Sequence, residues 1–295
     1  MSIDEHNPPA VRSTVWSLGH RLFLHVLLIV GAVAMLYPLL WMVVSSLKPE
    51  SQIFTDIGLW PKEFVFENWA QWFRQGATPP FGRLFLNSFL VAAGAITGNL
   101  ISCSMAAYAF ARLGFKFRRF WFTAMMMTIM LPSQVTLVPQ YVLFHRLGWV
   151  NTFLPLIAPK FLAVDAFFVF LMVQFIRGLP VELSEAARVD GCRPSEVYWH
   201  IMLPLMTPAL ATTAVFTFIW TWDDFLGQLI YLNDPDTYTV PLGLRSLVDI
   251  SGEGGPTTWG PLLAMTTLSV VPAFVLFLVF QRYLIEGIAT TGLKG

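Results

Sequence analysis

The run "LFLHVLLIVGAVAMLYPLLWMVV", residues 22–44, decides the class of fold to which this chain belongs. A helix needs about 20 mainly apolar residues to cross the hydrocarbon core of a bilayer, and this run meets that length. The apolar core of a secretory signal peptide is shorter, about 7–15 residues, and no small-residue cleavage site follows the run. We therefore predict a retained first membrane span after a polar N-terminal segment, residues 1–21.

The composition of the whole chain agrees with a membrane environment. Of its 295 residues, 56% are hydrophobic and only 12% are charged, whereas a soluble domain carries about 25% charged residues. The formal net charge of +0 gives no reason to expect nucleic acid as a partner. The two cysteines, Cys103 and Cys192, have neither metal-ligand spacing nor the pattern of a disulfide framework, so we predict no metal site.

Five further stretches are long and apolar enough to span a bilayer. The predicted fold is therefore an all-α polytopic membrane protein with six transmembrane helices, occupying residues 22–284 and followed by a tail, residues 285–295. Prolines interrupt the third and fourth spans, as membrane helices tolerate where neighbours satisfy the freed backbone groups. The predicted spans are Leu22–Leu47, Leu84–Ala111, Phe120–Phe144, Phe153–Ile176, Leu205–Tyr231 and Pro261–Tyr283.

Basic residues in the short loops predict the orientation of these spans. The loop between spans two and three holds four basic residues and no acidic one between positions 112 and 119, which places it in the cytoplasm. Alternation then places both termini and the polar loop, residues 177–204, in the cytoplasm. Segments 48–83 and 232–260, where acidic residues outnumber basic ones, would lie outside.

Small residues recur at four-residue steps along the second predicted span, at Gly94, Gly98, Ser102 and Ala106. This spacing forms a groove where another helix backbone can approach closely. Packing within the chain is the favoured interpretation, and an interface with another subunit is the alternative.

The polar loop contains the stretch "EAARVDGCRPSEVYWHIMLP", residues 185–204. Pro180 suits a first helical position, and residues 181–190 are good helix formers. Gly191 suits the position after a helix C-terminus, where a left-handed conformation costs glycine little. A second short helix would begin near Pro194 and end at Leu203-Pro204. The prediction is two short helices, folded back at a glycine and presented to the cytoplasm.

The spacing of Glu185-Ala186-Ala187, Gly191, Ile201 and Leu203-Pro204 resembles the EAA loop of permease subunits of bacterial ABC importers. Three further stretches, "YAFARLGF" (108–115), "LPSQVTLVPQY" (131–141) and "FQRYLIEGIATTGLKG" (280–295), resemble the carbohydrate-uptake branch, close to its maltose-type second permease. The resemblance covers nearly the whole chain after the N-terminal segment. It implies a multi-pass protein of the bacterial inner membrane.

In that family the EAA loop docks in a cleft of the cytoplasmic ATPase, and a C-terminal tail reaches into the ATPase dimer. The resemblance implies that Glu185 pairs with a basic residue of the ATPase, that Ala186 and Ala187 let the helix sit deep, and that Gly191 lets the chain reverse. The implied coupling residues are Glu185, Ala186, Ala187, Asp190, Gly191, Ile201, Leu203, Pro204, Lys294 and Gly295.

The resemblance also implies partners: a second, non-identical permease, an ATPase dimer, an extracytoplasmic solute-binding protein, membrane lipid and a sugar or sugar-like solute. The chain has no G-x-x-x-x-G-K-[ST] phosphate loop. We therefore expect a transport subunit that is not an enzyme and has no cofactor of its own, with ATP and Mg²⁺ bound by the partner ATPase.

The fifth predicted span carries two tryptophans next to two carboxylates. A carboxylate at the centre of a span costs about 2.5–3.5 kcal/mol or more, so it usually faces a cavity or a partner. Tryptophan rings beside carboxylates suit a sugar surface, whereas the alternative is a polar helix end in an aromatic belt. The family commonly has Trp-Asn at this place, so Asp223 departs from its pattern. The predicted substrate path consists of Trp220, Trp222, Asp223 and Asp224.

Two rival functions remain open at this point. An ion-coupled secondary transporter would use Asp223 or Asp224 as a proton or cation site, and it predicts inverted repeats with broken helices. An intramembrane enzyme is disfavoured because its nucleophile and metal motifs are missing. Lys160 and Asp165 are too far round a continuous helix to pair well, so each is expected to find a partner elsewhere.

Overall fold

The computed structural model describes residues 18–56, 58–70, 80–252 and 259–292. Over these residues the regular secondary structure is entirely helical, which confirms the all-α prediction. The α-helices are α1 (Leu18–Ser45), α2 (Glu67–Ala70), α3 (Phe81–Arg112), α4 (Arg118–Thr128), α5 (Ser133–Arg146), α6 (Leu154–Ile157), α7 (Ala166–Gly178), α8 (Glu182–Val189), α9 (Pro194–Val197), α10 (Leu203–Leu205), α11 (Thr207–Trp222), α12 (Leu226–Tyr231), α13 (Val240–Gly252) and α14 (Trp259–Gly292).

Several helices are long and apolar enough to cross a membrane. Within the described ranges there are 4 such stretches, or up to 5 if the pair Pro194–Leu205 and Thr207–Trp222, bent by 74°, is one span. The polytopic membrane character is therefore supported, while the number of six spans stays a prediction. The four stretches are Leu22–Ser45, Phe81–Arg112, Leu154–Gly178 and Trp259–Arg282.

Breaks occur where the sequence places prolines or charges within the predicted spans. The third predicted span consists of two helices, α4 and α5, because Pro132 disfavours a helical conformation at the residue before it. The fifth consists of α11 and α12, separated at residues 223–225. In the fourth, a 3₁₀ helix (Ala158–Leu162) is followed by Ala163 in a left-handed conformation, with φ +53°, before α7 begins.

Helix α3 is the centre of the fold and packs against α7, α11 and the 3₁₀ helix. The core around its C-terminal half includes Cys103, Tyr108, Phe168 and Met172, all buried. A second core around its N-terminal half includes Phe81, Leu84, Phe218, Trp222 and Met265. One helix therefore contributes residues to both cores.

The groove of small residues on α3 is filled by the same chain, which confirms packing within the chain. A Cβ atom on Gly98 would lie 2.9 Å from the carbonyl carbon of Lys160, and one on Gly94 would lie 2.8 Å from Cδ1 of Ile157. The Ser102 hydroxyl donates a 2.6 Å hydrogen bond to the carbonyl oxygen of Lys160. Absence of side chains at these positions lets the 3₁₀ helix approach the backbone of α3.

A buried lysine forms hydrogen bonds within the segment that follows α1. The Lys48 side chain is fully buried, and its Nζ donates 2.6 Å hydrogen bonds to the carbonyl oxygens of both Asp56 and Gly58. Two carbonyl acceptors make burial of the ammonium group tolerable. The backbone N–H of Gly58 and the ammonium group of Lys62 lower the pKa of Asp56.

An acidic side chain from the same segment caps the start of α14. The two carboxylate oxygens of Glu50 accept hydrogen bonds from the backbone N–H groups of Trp259 (2.7 Å) and Gly260 (3.0 Å). A carboxylate at a helix N-terminus satisfies N–H groups that lack partners within the helix and interacts well with its dipole. The segment after α1 is thereby fixed to the last long helix.

Candidate functional site

The first helix of the polar loop, α8, has two faces in different surroundings. Ser184 and Ala187 are buried against the core around the C-terminal half of α3. Residues at i, i+3, i+4 and i+7 form the opposite face and are exposed. Val189 is 88% exposed, which is unusual for a large apolar residue. The exposed face consists of Glu182, Glu185, Ala186 and Val189.

The two alanines of the predicted coupling motif therefore have different positions. Ala186 is exposed, whereas Ala187 is only 6% exposed and packs inside this chain. The expectation that both alanines seat the helix in a partner is corrected for Ala187, because its small side chain serves the approach of α8 to the core. Asp190, at the end of α8, is exposed.

The turn after α8 has the geometry that the glycine predicts. Gly191 has φ +88°, in the left-handed region. The N–H of Cys192 donates to the carbonyl oxygen of Ala187 (2.9 Å), and the N–H of Gly191 donates to that of Arg188 (3.1 Å). This pair of hydrogen bonds is the Schellman motif, which closes a helix C-terminus.

The second helical stretch of the loop is longer than predicted. It begins at α9, where the N–H of Arg193 donates a 2.6 Å hydrogen bond to the Glu196 carboxylate. It continues through a π-helical turn (Tyr198–Met202) and α10 to Leu205. It thus ends one residue after the predicted Leu203-Pro204, and Pro204 lies in the first turn of α10, where its missing N–H costs little. Ile201 and Leu203 are half-buried there, and Pro204 is exposed.

An arginine at the end of α3 joins the polar loop to the membrane helices. The Arg112 Nη2 donates to the carbonyl oxygens of Ile176 (2.9 Å) and Leu179 (2.7 Å), at the end of α7. A cation at a helix C-terminus satisfies free carbonyl groups and interacts well with the dipole. Arg188 of α8 donates a 3.4 Å hydrogen bond to the carbonyl oxygen of Arg112. The ends of α3 and α7 and the start of the loop are thus one connected unit.

Two hydroxyl groups attach the second half of the loop to α3. Tyr108 donates to the carbonyl oxygen of Pro194 (3.0 Å), and the hydroxyl groups of Ser104 and Tyr198 are 2.8 Å apart. The rings of Tyr108 and Tyr198 also contact each other, with centroids 5.5 Å apart. Sequence reasoning did not identify Tyr108 or Arg112 as anchors of the loop, although both fall in the quoted stretch "YAFARLGF".

A cavity of about 860 Å³ lies next to the break between α11 and α12. A smaller cavity, about 350 Å³, shares several of its lining residues, among them Lys160, Trp220 and Asp224. Of the predicted substrate-path residues, Trp220 and Asp224 line both cavities and Asp223 lines the smaller one.

The two tryptophans of the predicted path have different roles. Trp220 is 49% exposed, and its ring stacks on Phe168 with centroids 5.0 Å apart. Trp222 is only 3% exposed, and its Nε1 donates a 3.0 Å hydrogen bond to the carbonyl oxygen of Ser269. Its ring packs on Phe218 in the core around the N-terminal half of α3. The prediction that Trp222 lines the path is therefore corrected, because its ring is core.

The adjacent carboxylates lie in the break between the two helices. Asp223 is exposed at the end of α11, and its N–H donates to the carbonyl oxygen of Ile219 (3.0 Å). Asp224 is half-buried, and its Oδ1 accepts a 3.0 Å hydrogen bond from the N–H of Gly227 in the first turn of α12. Asp224 therefore both lines the cavities and holds the start of α12.

Lys160 and Asp165 form an ion pair, contrary to the expectation from a continuous helix. The Lys160 Nζ lies 2.8 Å from Oδ2 of Asp165. The left-handed residue Ala163 reverses the chain between them and brings the two side chains together. The Asn99 amide also donates to Oδ2 of Asp165 (2.7 Å) and to the hydroxyl of Thr217 (3.1 Å). The signal that pointed here is an ionisable residue inside a span.

The C-terminal part of the predicted coupling site lies at the edge of the described residues. Lys294 and Gly295 lie outside the described residues, and α14 extends to Gly292, so residues 285–292 continue the helix. Among the described residues, no group of three or more His, Cys, Asp or Glu side chains is placed to hold a metal ion.

Comparison with known proteins gives consistent matches over most of the chain. A family model described as "Binding-protein-dependent transport system inner membrane component" matches residues 98–289. The chain is 34% identical over 280 residues to the probable ABC transporter permease protein YurM of Bacillus subtilis, which covers 95% of this chain and 90% of YurM. It is 33% identical over 262 residues to the arabinooligosaccharides transport system permease protein AraQ of Halalkalibacterium halodurans, covering 88% and 91%.

A further relative and a solved structure extend these matches. The sn-glycerol-3-phosphate transport system permease protein UgpE of Yersinia pestis is 32% identical over 274 residues, covering 92% of this chain and 96% of UgpE. A chain from the crystal structure of a bacterial ABC transporter involved in the import of the acidic polysaccharide alginate superposes with a TM-score of 0.79, covering 91% of this chain and 98% of that chain. At 20% sequence identity, this likeness shows the fold alone.

Proposed function

Because the chain belongs to the family of binding-protein-dependent inner membrane transport components, we propose that it forms half of the translocation pore of an ATP-driven importer for a sugar or oligosaccharide. The relative AraQ, named as an arabinooligosaccharides permease, supports this solute class, whereas UgpE is named for sn-glycerol-3-phosphate, a phosphorylated polyol. The other half of the pore would be a second, non-identical permease. An ATPase dimer, which holds ATP and Mg²⁺, and an external solute-binding protein would complete the importer.

The polar loop is the proposed contact with the ATPase. The observation that carries this proposal is the exposed face of α8, which has the carboxylates of Glu182 and Glu185, a small Ala186 and, at its C-terminal end, the apolar Val189. A solvated connector gains nothing from an 88% exposed valine. A docking helix would bury this side chain together with Ala186 against its partner, and removal of apolar surface from water favours association. This role requires residues 177–204 and both termini to lie in the cytoplasm.

Movement of the loop would reach the pore through α3. Arg112, Tyr108 and Ser104 hold the loop on the C-terminal half of this helix. The same helix continues past Asn99 and Gly98 to Val91, which lines the smaller cavity. Closure of the ATPases would therefore tilt α3 and shift Val91 against the rest of the cavity wall, since packed helices slide past one another by small amounts in such transitions.

Reversal of the charge on Glu185 tests the coupling role. In the assembled importer, Glu185→Lys should lower solute-stimulated ATP hydrolysis and uptake more than tenfold, because like charges in a docking site cost several kcal/mol. Glu185→Gln should have a smaller effect. Glu63→Lys makes the same reversal at an exposed position outside the loop and should leave both rates near wild type.

The recovery of complex with the ATPase separates folding from coupling in this experiment. A Glu185→Lys complex that assembles and transports at the wild-type rate would disprove the coupling role.

An ion-coupled transporter is the second candidate function. The break in the predicted fifth span at Asp223 and Asp224, beside a cavity, is the observation in its favour. Uptake into vesicles separates the two functions. The importer requires ATP inside and is indifferent to collapse of the proton and sodium gradients, whereas the ion-coupled transporter stops when the gradients collapse.

A further inference from the structure

The charged side chains that line the two cavities do not balance. The larger cavity is lined by Lys160, Asp165 and Asp224, and the smaller one adds Asp223. The single ammonium group is already paired, because Lys160 lies 2.8 Å from the carboxylate of Asp165. Neither Asp223 nor Asp224 forms an ion pair with any residue in the described part of the chain. The wall formed by this chain therefore carries excess negative charge.

The uncharged part of the lining suits a solute with hydroxyl groups. Gln134 and Gln140 of α5 line the larger cavity together with the half-exposed ring of Trp220. Tyr231 also lines it, and the buried hydroxyl of this residue has no hydrogen-bond partner in the described ranges. A buried polar group without a protein partner is normally satisfied by water or another hydroxyl group. Amide, phenol and indole groups at one surface provide donors, acceptors and a flat apolar face.

We propose that the larger cavity accepts an uncharged, polyhydroxylated solute and disfavours phosphorylated or carboxylated ones. This inference rests on the proposed importer function and specifies its solute class. A negative charge brought to about 6 Å from one unpaired carboxylate in water is disfavoured about threefold, and the effect grows as water is displaced. Hydroxyl groups meet no such penalty, and carboxylate acceptors give them charge-assisted hydrogen bonds.

Thiol reagents of different charge measure the selectivity of the cavity for charge without knowledge of the natural solute. Gln140→Cys places a thiol at an exposed position in the larger cavity, in a Cys192→Ser background that keeps the fully buried Cys103. The assembled importer is treated with three methanethiosulfonates of similar size: neutral hydroxyethyl, anionic sulfonatoethyl and cationic trimethylammonioethyl. Each rate on the intact chain, followed by mass spectrometry, is divided by the rate of the same reagent with a free thiol.

The anionic reagent should react at least about threefold more slowly than the neutral one after this normalisation. Asp224→Asn should lower the ratio of the neutral to the anionic labelling rate about two- to threefold. This substitution removes one negative charge and keeps the size of the side chain. Asp234→Asn is the matched control, because Asp234 is exposed and lies outside both cavities. It should leave the ratio unchanged.

Three outcomes would overturn the proposal. These are equal or faster labelling by the anionic reagent, a ratio that Asp224→Asn does not change, and a cysteine that none of the reagents reaches. The ATP requirement of uptake is measured on the same vesicles. If uptake does not need ATP, the proposed importer function is wrong, whatever the labelling ratio. If uptake needs ATP and the neutral and anionic reagents label at equal normalised rates, only the proposed solute class is wrong.

Discussion

Lys160 and Asp165 show how a charged pair is kept inside a bundle of apolar helices. Each side chain is about three-quarters buried, with 28% and 24% exposed. The attraction of the pair alone does not repay the loss of hydration, so additional hydrogen bonds are needed. Asn99 supplies one to the carboxylate, and Thr217 fixes the amide of Asn99. The residue-level unit is therefore this set of four side chains.

Removal of one of these four side chains should leave a partly buried polar or charged group without its partner. We expect Asp165→Ala to lower the free energy of unfolding by about 1.5–3 kcal/mol, because it leaves a partly buried ammonium group without its partner. Lys62→Ala, which breaks an ion pair whose lysine is 74% exposed, should cost less than about 1 kcal/mol. Thermal or denaturant unfolding in detergent, followed by tryptophan fluorescence, measures both.

The double variant Lys160→Met/Asp165→Ala gives the internal check. The double variant should lose less free energy of unfolding than the sum of the losses in Lys160→Met and Asp165→Ala, since no unpaired charge remains. Strict additivity would show that the two side chains do not stabilise each other.

At the level of elements, the close contact between α3 and the 3₁₀ helix depends on two glycines that differ in what faces them. A side chain at Gly98 would meet the backbone of Lys160, whereas the nearest atoms to one at Gly94 belong to the side chain of Ile157. We expect Gly98→Ala to destabilise the fold by about 1–3 kcal/mol and Gly94→Ala by less. Gly82→Ala has open space and should be neutral or stabilising, because alanine favours a helix.

The amount of folded protein and its melting temperature in detergent rank these three variants. A Gly98→Ala protein as stable as Gly82→Ala would show that the 3₁₀ helix can move away from α3 without cost.

The turn between α8 and α9 gives a second test at this level. A Cβ on Gly191 would meet nothing within 4 Å, so the cost of Gly191→Ala is conformational alone, from φ +88°. A left-handed conformation costs a non-glycine residue about 1–2 kcal/mol. Hydrogen exchange of the α8 amides should become correspondingly faster, and coupled ATP hydrolysis should fall. Gly178→Ala, with open space and an ordinary φ, is the control and should change neither.

Sequence patterns predicted most of these elements, and the misses have physical causes. Apolar length located α1, α3 and α14, and the glycine predicted the turn at Gly191, because both signals are local. The pairing of Lys160 with Asp165 was missed since it depends on a break at Ala163, a residue type that rarely adopts a left-handed conformation. Which tryptophan faces the cavity depends on neighbours far along the chain. The sequence around Trp220 and Trp222 does not contain that information.

At the level of the whole molecule, the segment after α1 acts as a clasp between the first and last long helices. Lys48 closes this segment on itself, and Glu50 binds the N-terminus of α14. Helix α1 is otherwise exposed along most of its length. The clasp is therefore a polar connection that helps to keep α1 beside α14.

We expect Glu50→Ala to loosen this clasp by about 1–2 kcal/mol, since it removes a carboxylate that accepts two backbone hydrogen bonds. Protease cleavage of segment 46–70 and hydrogen exchange at the start of α14 should both become faster. Glu63→Ala, an exposed acid in the same segment, is the control. Unchanged cleavage in Glu50→Ala would mean that apolar contacts alone hold α1 in place.

Asn99 sets an order of events for the synthesis of this protein. Its amide donates to Asp165 and Thr217, which follow it by 66 and 118 positions along the chain. When α3 leaves the ribosome, neither partner has been made, and an amide facing lipid tails without a partner costs several kcal/mol. The nascent helix is therefore expected to stay beside the insertion machinery until α11 arrives. The centre of the molecule is begun early in translation and completed late.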